Sequence, residues 1–254
     1  MMPRREISAI SPGQIETARR MHGRLALWCT TENALHTLGQ CYPGYSLGAC
    51  LVKAAAVNAL YSTYVLAITR MGQHVYGVLQ EERFRRVTPA NSIELVEAIA
   101  DLTPPPQLDD ALDPDSPPSP NQQKKRLFRS FASKFCAFFV DRNLFPIYDD
   151  AAREAIKRHM PSKELDKSTT YGAFVKNLHH LRDRYELHSS DYIDLDRYLW
   201  LRAMYDRHAK GDPRVNRELR EYFQKEPHEL ATLLGRRDIQ PAEGNEGERD
   251  VFDA

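Results

Sequence analysis

Seven prolines lie between Thr103 and Pro120, near the middle of the 254-residue chain. Proline fixes φ and lacks a backbone N–H, so neither a helix nor a central strand passes through such a stretch. Four aspartates accompany the prolines, which is typical of an acidic, semi-extended linker. We therefore expect four regions: an N-terminal helical part (1–102), a Pro/Asp-rich loop or linker (103–123), a second helical part (124–236) and a disordered acidic tail (237–254).

The segments on both sides of the linker have helical patterns. Apolar residues recur at helical spacing, as in Ile15, Ala18, Met21 and Leu25, and no stretch alternates strictly as a half-buried strand does. Helices are predicted at 12–28, 32–38, 47–79, 91–101, 135–140, 149–159, 168–185, 191–204, 213–223 and 227–234. The sequence therefore predicts an all-α fold. Aromatic residues at helical spacing usually pack, so Tyr198 and Trp200 are expected to be core residues.

Composition limits the classes of protein to which this chain can belong. The 35 basic and 35 acidic residues balance, a mild argument against a nucleic-acid partner. No apolar run is long enough to span a membrane and no signal peptide is visible, so we expect a cytoplasmic protein without a membrane partner. The four cysteines (Cys29, Cys41, Cys50 and Cys136) form no CxxC pair, and the histidines lack metal-site spacing. No metal and no cofactor are predicted.

A local basic run follows the linker. Lys124, Lys125, Arg126, Arg129 and Lys134 occur without an acidic residue among them. Such a cluster suits contact with phosphates. A solvated helix end has the same pattern, and charge alone leaves both interpretations open.

Lys134 and Asp149 are the candidate catalytic residues. Lys134 begins an apolar helical run, where partial dehydration and a helix N-terminus disfavour the ammonium form and favour a nucleophilic amine. Asp149 follows Pro146-Ile147 at a helix start, where a carboxylate caps free N–H groups and stays ionised. A nucleophilic lysine and a fixed carboxylate together suit chemistry through a cationic sugar.

The segment around these two residues resembles the helix-hairpin-helix DNA glycosylases, the superfamily of endonuclease III and the adenine and 8-oxoguanine glycosylases. Ser130-Phe131-Ala132-Ser133-Lys134 falls on the hairpin of that family, and Phe145-Pro146-Ile147-Tyr148-Asp149 is similar to its Phe-Pro-Ile-x-Asp. The sequence departs from the family where Ser130 and Ala132 replace the hairpin glycines and where the Lys-to-Asp separation is about one helical turn short. No cysteine follows Cys136, which argues against the iron–sulfur loop of endonuclease III relatives.

The resemblance implies a helical bundle of two lobes with a cleft into which a modified or damaged base of double-stranded DNA is flipped. Lys134 would attack the sugar C1′, with possible lyase activity through a Schiff base, and Asp149 would stabilise the cationic sugar. The residues implied to hold DNA phosphates are Lys124, Lys125, Arg126, Arg129, Ser130, Phe131, Ala132 and Ser133. The residues implied to line the pocket are Asn58, Ser62, Thr63 and Tyr148.

The sequence also allows other interpretations of these residues and of the function. Asn58 and Ser62 also suit a role in satisfying backbone groups within a helical core. The protein, expected to be a monomer, would act in DNA repair or in defence against phage with modified DNA. The other interpretations are a non-catalytic DNA-binding protein with the same scaffold, in which Lys134 contacts phosphate and Asp149 only caps a helix, and a helical interaction module without a nucleic-acid role.

Overall fold

The computed structural model describes residues 9–102 and 127–235, and within these ranges the chain forms helices and no strand. The all-α prediction is confirmed. The predicted linker 103–123 and tail 237–254 lie outside the described residues, as do Lys124, Lys125 and Arg126. No helix in the described ranges has both the length and the apolar character needed to cross a membrane.

Eleven α-helices and one 3-10 turn make up the described fold. They are α1 (Pro12–Gly23), α2 (Ala26–Cys41), α3 (Leu47–Tyr61), α4 (Ile68–Gln80), the 3-10 turn Glu82–Phe84, α5 (Pro89–Ala100), α6 (Arg129–Phe139), α7 (Asp150–His159), α8 (Tyr171–Arg184), α9 (Tyr192–Ala209), α10 (Arg217–Lys225) and α11 (Pro227–Leu233). Polar side chains cap many of the N-termini. Ser11 caps α1 and Ser46 caps α3, and the predicted cap of α7 by Asp149 is confirmed.

Some predicted helix boundaries are wrong. The apolar stretch 47–79 forms two helices, because the chain turns away after Tyr61 with positive φ angles of 47° at Ser62 and 58° at Tyr64. The predicted helix 12–28 also breaks, because Leu25 between α1 and α2 has an extended backbone conformation. α5 begins at Pro89 rather than Asn91, since the side chains of Thr88 and Asn91 form its capping box.

The hairpin predicted at Ser130–Ser133 is also wrong. These residues form the first turn of α6, and the N–H of Ala132 donates to the carbonyl of Phe128 at 2.9 Å. The segment contains no glycine to adopt a left-handed conformation freely, whereas serine and alanine are compatible with a helix. Helix formation therefore replaces the hairpin.

One continuous apolar core joins the helices. The long helix α9 packs against α1 and α7, α3 packs against α4 and α6, and α1 also contacts α11. The side-chain amide of Gln14 donates to the carbonyl of Leu233 at 3.0 Å and so ties the first helix to the last. Tyr198 of α9 is buried in this core, as predicted. The start of α6, the start of α7 and the middle of α9 meet at one cleft.

Candidate active site

A cleft of about 670 Å³ opens beside these three helices. Its volume is within the range of roughly 300–1,000 Å³ that small-molecule pockets usually have. Aromatic side chains form much of its wall, and polar and charged side chains converge in it. The aromatic residues are Trp28, Tyr61, Tyr64, Tyr148 and Trp200, and the polar ones include Glu32, Ser130, Lys134, Asp149, Asp196 and Arg197.

Lys134 lies in this cleft and is only 4% exposed. Its Nζ donates a hydrogen bond to Ser130 Oγ at 2.9 Å and lies 4.0 Å from Asp149 Oδ2. The same Nζ lies 5.7 Å from the centroid of the Tyr61 ring. A carboxylate, a hydroxyl and an aromatic ring therefore surround the amine.

The two carboxylate oxygens of Asp149 have different partners. Oδ1 accepts a hydrogen bond from the N–H of Ala152 at 2.8 Å, which caps α7, while Oδ2 faces Lys134. The N-terminal end of a helix favours a negative charge. The structure thus brings the two predicted catalytic residues together.

Side-chain hydrogen bonds hold the segment that carries Asp149. Ser133 Oγ accepts a hydrogen bond from the N–H of Tyr148 at 2.9 Å. The hydroxyl of Tyr171 donates to the carbonyl of Pro146 at 3.0 Å. The hydroxyl of Tyr148 donates to the carbonyl of Thr169 at 2.8 Å. These bonds fix the backbone on the N-terminal side of Asp149.

Asp196 of α9 is a further cleft residue that the sequence did not single out. Burial raises the pKa of its carboxyl well above the ordinary range, the negative charge of Asp149 adds to the rise, and Lys134 opposes it. In the sequence, Asp196 is one of several acids at the start of α9, together with Asp191 and Asp194. Nothing in the local pattern distinguishes it from them.

A second charged group surrounds Glu32 on another wall of the cleft. Its Oε2 lies 2.7 Å from Arg142 Nη2 and 3.3 Å from Arg197 Nη2, and its Oε1 lies 3.7 Å from His22 Nε2. Burial opposes the charge of Glu32, but Arg142, His22 and Arg197 hold its pKa below the ordinary value. Burial lowers the pKa of His22 to about 4, so His22 is neutral at pH 7.

Trp28 and Trp200 stand edge to face in the cleft, with ring centroids 4.5 Å apart. Trp200 was predicted to be a core residue. It packs against the core but also lines the cleft. Helical spacing indicates which face of α9 is apolar, but it does not show which part of that face the neighbouring helices leave uncovered.

The predicted pocket residues divide into two groups. Ser62, Thr63 and Tyr148 line the cleft, but Asn58 does not. The amide nitrogen of Asn58 donates to the carbonyl of Val65 at 3.1 Å, and its oxygen accepts from Val65 N–H and from the Thr63 hydroxyl, both at 2.9 Å. The alternative interpretation is therefore the correct one for Asn58, which satisfies polar groups of the loop after α3.

Most of the predicted phosphate-contact residues that the structure describes are buried or already paired. The side chains of Phe131, Ala132 and Ser133 are buried at 0% exposure and are not accessible to a DNA backbone. Arg129 Nε donates to both carboxylate oxygens of Glu97, at 2.9 and 2.8 Å, so its charge is already paired. Ser130 faces the cleft and accepts the hydrogen bond of Lys134.

Residues 14–143 match the family model HI_0787_N, described as an N-terminal domain. The match covers just over half of the chain. The chain belongs to this family. No curated protein and no solved structure matches the chain. The matched region contains Lys134, Glu32 and Arg142, whereas Asp149 and Asp196 follow it, so the cleft is built from the family domain and the helices after it.

Within residues 9–102 and 127–235, no group of three or more His, Cys, Asp or Glu side chains is arranged to hold a metal ion. The four cysteines are free thiols, and burial raises the pKa of Cys50 to about 11.

Proposed function

We propose that this protein is a DNA glycosylase, which flips a modified or damaged base into the cleft and excises it. The observation that carries the proposal is the placement of Lys134 Nζ 4.0 Å from Asp149 Oδ2 within one cleft. The two residues are 15 positions apart in the sequence, and the resemblance assigns them the two roles that this chemistry needs.

The chemistry proceeds at the sugar C1′. When the bond from C1′ to the base nitrogen breaks, positive charge develops on the sugar, and the fixed carboxylate of Asp149 stabilises it. The Lys134 amine attacks C1′ and forms a covalent intermediate, which opens to a Schiff base and permits strand scission. Holding both groups beside one reacting atom lowers the barrier through orientation.

The aromatic walls suit a flipped base. Trp28, Tyr61 and Trp200 offer ring faces and edges in the cleft, and bases extruded from a duplex are commonly held between aromatic or apolar side chains. Removing a base from the stack costs a few kcal/mol, and packing in such a pocket offsets part of that cost.

In this proposal the loop after α3 contacts DNA at the mouth of the cleft. In this loop Tyr64 is 70% exposed and Leu66 is 93% exposed. Ser62 and Tyr64 have left-handed backbone conformations. Exposed large apolar side chains beside a pocket commonly mark a surface that contacts a partner. In this proposal they contact the duplex beside the flipped nucleotide, and Lys124, Lys125 and Arg126 contact phosphates. The protein acts as a monomer in the cytoplasm, in repair or in defence against phage with modified DNA.

Borohydride trapping tests this proposal. The protein is incubated with an abasic-site duplex, and with duplexes containing uracil, 8-oxoguanine, hypoxanthine or 5-hydroxymethylcytosine, and the Schiff base is reduced to a stable adduct. Lys134→Ala is expected to abolish the adduct. The exposed Lys157 in α7 provides the matched control, because Lys157→Ala removes a lysine outside the cleft and should leave the adduct unchanged.

Each outcome assigns a different function. Base release without an adduct would indicate a monofunctional glycosylase in which Asp149 carries the chemistry. Salt-sensitive binding to duplex DNA, without base release or adduct, would indicate a non-catalytic DNA-binding protein. The absence of binding, base release and adduct would contradict the proposal and favour the helical interaction module.

A further inference from the structure

Asp196 stands out among the acidic residues of the cleft because its carboxyl group has no fixed partner. Asp149 caps α7, Glu32 pairs with Arg142, and Asp150 lies 3.3 Å from Arg153. Among the described residues, no hydrogen-bond donor or counterion is in bonding contact with the Asp196 carboxyl. The Asp196 side chain is partly buried and lines the cleft, so its unpaired carboxyl is a candidate for contact with a ligand.

The charges around Asp196 come from several elements. Lys134 of α6 and Arg142 after α6 are positive, and Asp149 before α7 and Glu32 of α2 are negative. The other titratable groups that line the cleft nearby are His22 of α1, Tyr61 of α3 and Arg197 of α9 itself. Lys134 is in contact with Asp149 at 4.0 Å, and its charge also acts on Asp196 in the same cleft. In such an arrangement the two carboxyls do not ionise with equal ease.

We propose that Asp196 is the acid that protonates the departing base and then accepts a proton from Lys134. This inference rests on the proposed glycosylase function and deepens it. The structure gives the two carboxyl groups different surroundings, since Asp149 accepts a hydrogen bond at a helix N-terminus and Asp196 accepts none. Paired carboxyls whose environments separate their protonation behaviour commonly divide the acid and the charge-stabilising roles.

The reaction takes three steps, over which protons and electrons balance. The bond from C1′ to the base nitrogen breaks, its electron pair stays on the base, and the base takes the proton of the Asp196 carboxyl. The resulting carboxylate then takes a proton from the Lys134 ammonium, which frees the lone pair on Nζ. That lone pair forms the bond from nitrogen to C1′, so the base leaves neutral, Asp196 is protonated again and the positive charge resides on the covalent intermediate.

Asp149 and Lys134 line the same cleft as Asp196 and have other roles in this chemistry. Asp149 must stay negative to stabilise the sugar, so it is not available to donate a proton. Lys134 must become neutral to attack, and a carboxylate that has just lost its proton to the base is a suitable acceptor. The burial that raises the pKa of Asp196 favours the protonated form that the first step requires.

The variant Asp196→Asn tests the inference, since it keeps the shape and removes the titratable proton. Release of base from whichever of the uracil, 8-oxoguanine, hypoxanthine or 5-hydroxymethylcytosine duplexes the wild type cleaves should fall by about 100-fold or more, the usual contribution of general acid catalysis. The alkaline limb of the pH–rate profile should disappear with it. Trapping on an abasic-site duplex, from which no base departs, should stay within about tenfold of wild type. Asp194→Asn, on the same helix, is the matched control for both rates.

The outcomes separate the inference from the function on which it rests. If the wild type releases no base and traps no adduct, the proposed function fails and the inference falls with it. If the wild type is active and Asp196→Asn keeps the rate and the pH profile of base release, only the inference is wrong. Equal loss of base release and abasic-site trapping would also overturn it, because Asp196 would then act only by positioning Lys134. Trapping by the wild type without release of any tested base would count against the inference and leave the lyase activity standing.

A measurement on the free protein adds a second test. The carboxyl carbon of Asp196, labelled with ¹³C and assigned by its absence in Asp196→Asn, reports protonation directly by NMR. Its titration midpoint should lie above that of an ordinary aspartate and should fall in Asp149→Asn, in which a neighbouring negative charge is removed. A midpoint in the ordinary range would overturn the inference whatever the activity.

Discussion

The Oγ atom of Ser133 accepts a hydrogen bond from the backbone N–H of Tyr148 at 2.9 Å, and each of these residues directly precedes one of the two proposed catalytic residues. Ser133 lies on α6 beside Lys134, and Tyr148 lies on the segment that ends at Asp149. Both residues are buried. This single bond therefore fixes the distance between the two backbones that carry the site.

Ser133→Ala should weaken this link. The N–H of Tyr148 would be left buried without an acceptor, which is expected to lower the free energy of unfolding by about 1–3 kcal/mol. Displacement of Asp149 relative to Lys134 should also reduce the rate of adduct formation by about 10- to 100-fold. Urea denaturation and borohydride trapping measure the two effects.

Ser92 in α5 provides a control for Ser133. It is also buried, but its hydroxyl donates only to the carbonyl of Pro89 in its own helix, at 3.0 Å. Ser92→Ala should change the trapping rate little. Equal loss of rate in both variants would show that general destabilisation, not the position of Asp149, limits the reaction.

Variants of Asp149 separate its two roles. Asparagine caps a helix about as well as aspartate, whereas alanine does not, so Asp149→Ala should be less stable than Asp149→Asn by about 1 kcal/mol. Both variants lack the negative charge that faces Lys134, so both should lose base release to the same extent. Thermal unfolding and base-release rates give the comparison. Activity that follows stability, with Asp149→Asn still active, would mean that Asp149 is only a helix cap.

Local sequence patterns were sufficient to predict the all-α fold and several helix ends. Asp149 was predicted correctly as a cap because capping depends on the few residues that follow. The break after Tyr61 was missed because the side chain of Asn58, within the helix, satisfies the turn that leaves it. An apolar pattern alone continues through that position.

The candidate site was only partly predictable. Lys134 and Asp149 were found through a motif, and their proximity is reproduced by the structure. Glu32 and Asp196 were missed because the cleft forms where helices distant in sequence leave a gap, and an isolated acid carries no local signal for such a gap. The burial of Phe131 was missed for a related reason, since the expected hairpin would have exposed it.

Arg129 is expected to act in the fold and not in DNA binding. It binds both oxygens of Glu97, whose Oε1 also accepts from the N–H of Tyr171 at 2.6 Å, so one carboxylate joins α5, α6 and α8. Arg129→Met should lower the free energy of unfolding by about 1–3 kcal/mol, the scale of a hydrogen bond to a charged group. The slope of log K against log salt for duplex binding should not change.

Lys125 should behave in the opposite way. As a predicted phosphate contact, Lys125→Ala should reduce the salt slope by about one and leave the free energy of unfolding unchanged. Filter binding at several salt concentrations measures both variants. A reduced slope in Arg129→Met would show that this side chain leaves Glu97 to contact DNA.

Two glycines of α4 make a matched pair for packing. A Cβ on Gly72 would lie 2.9 Å from the Cα of Leu51 and 2.7 Å from its Cδ2, because α3 and α4 approach closely there. Gly72→Ala should therefore destabilise the fold by about 1–3 kcal/mol through overpacking. A Cβ on Gly77 would meet nothing within 4 Å, so Gly77→Ala should stabilise α4 by about 0.5–1 kcal/mol. Equal effects of the two substitutions in urea denaturation would contradict this account.

His22 should make the fold sensitive to acid. Burial lowers its pKa from the ordinary 6.5 to about 4, so the folded protein binds fewer protons at this residue than the unfolded chain does between these values. Stability is therefore fully present above pH 6.5 and is lost as the pH falls toward 4, by up to about 3 kcal/mol. His22→Gln binds no proton in either state and should lack this part of the loss. Urea denaturation at pH 7 and pH 4.5 gives the difference for each protein, and groups that titrate elsewhere contribute equally to both. If wild type and variant lose the same free energy of unfolding, the pKa of His22 is not lowered in the folded protein. His22 would then gain its proton beside Glu32 without unfolding.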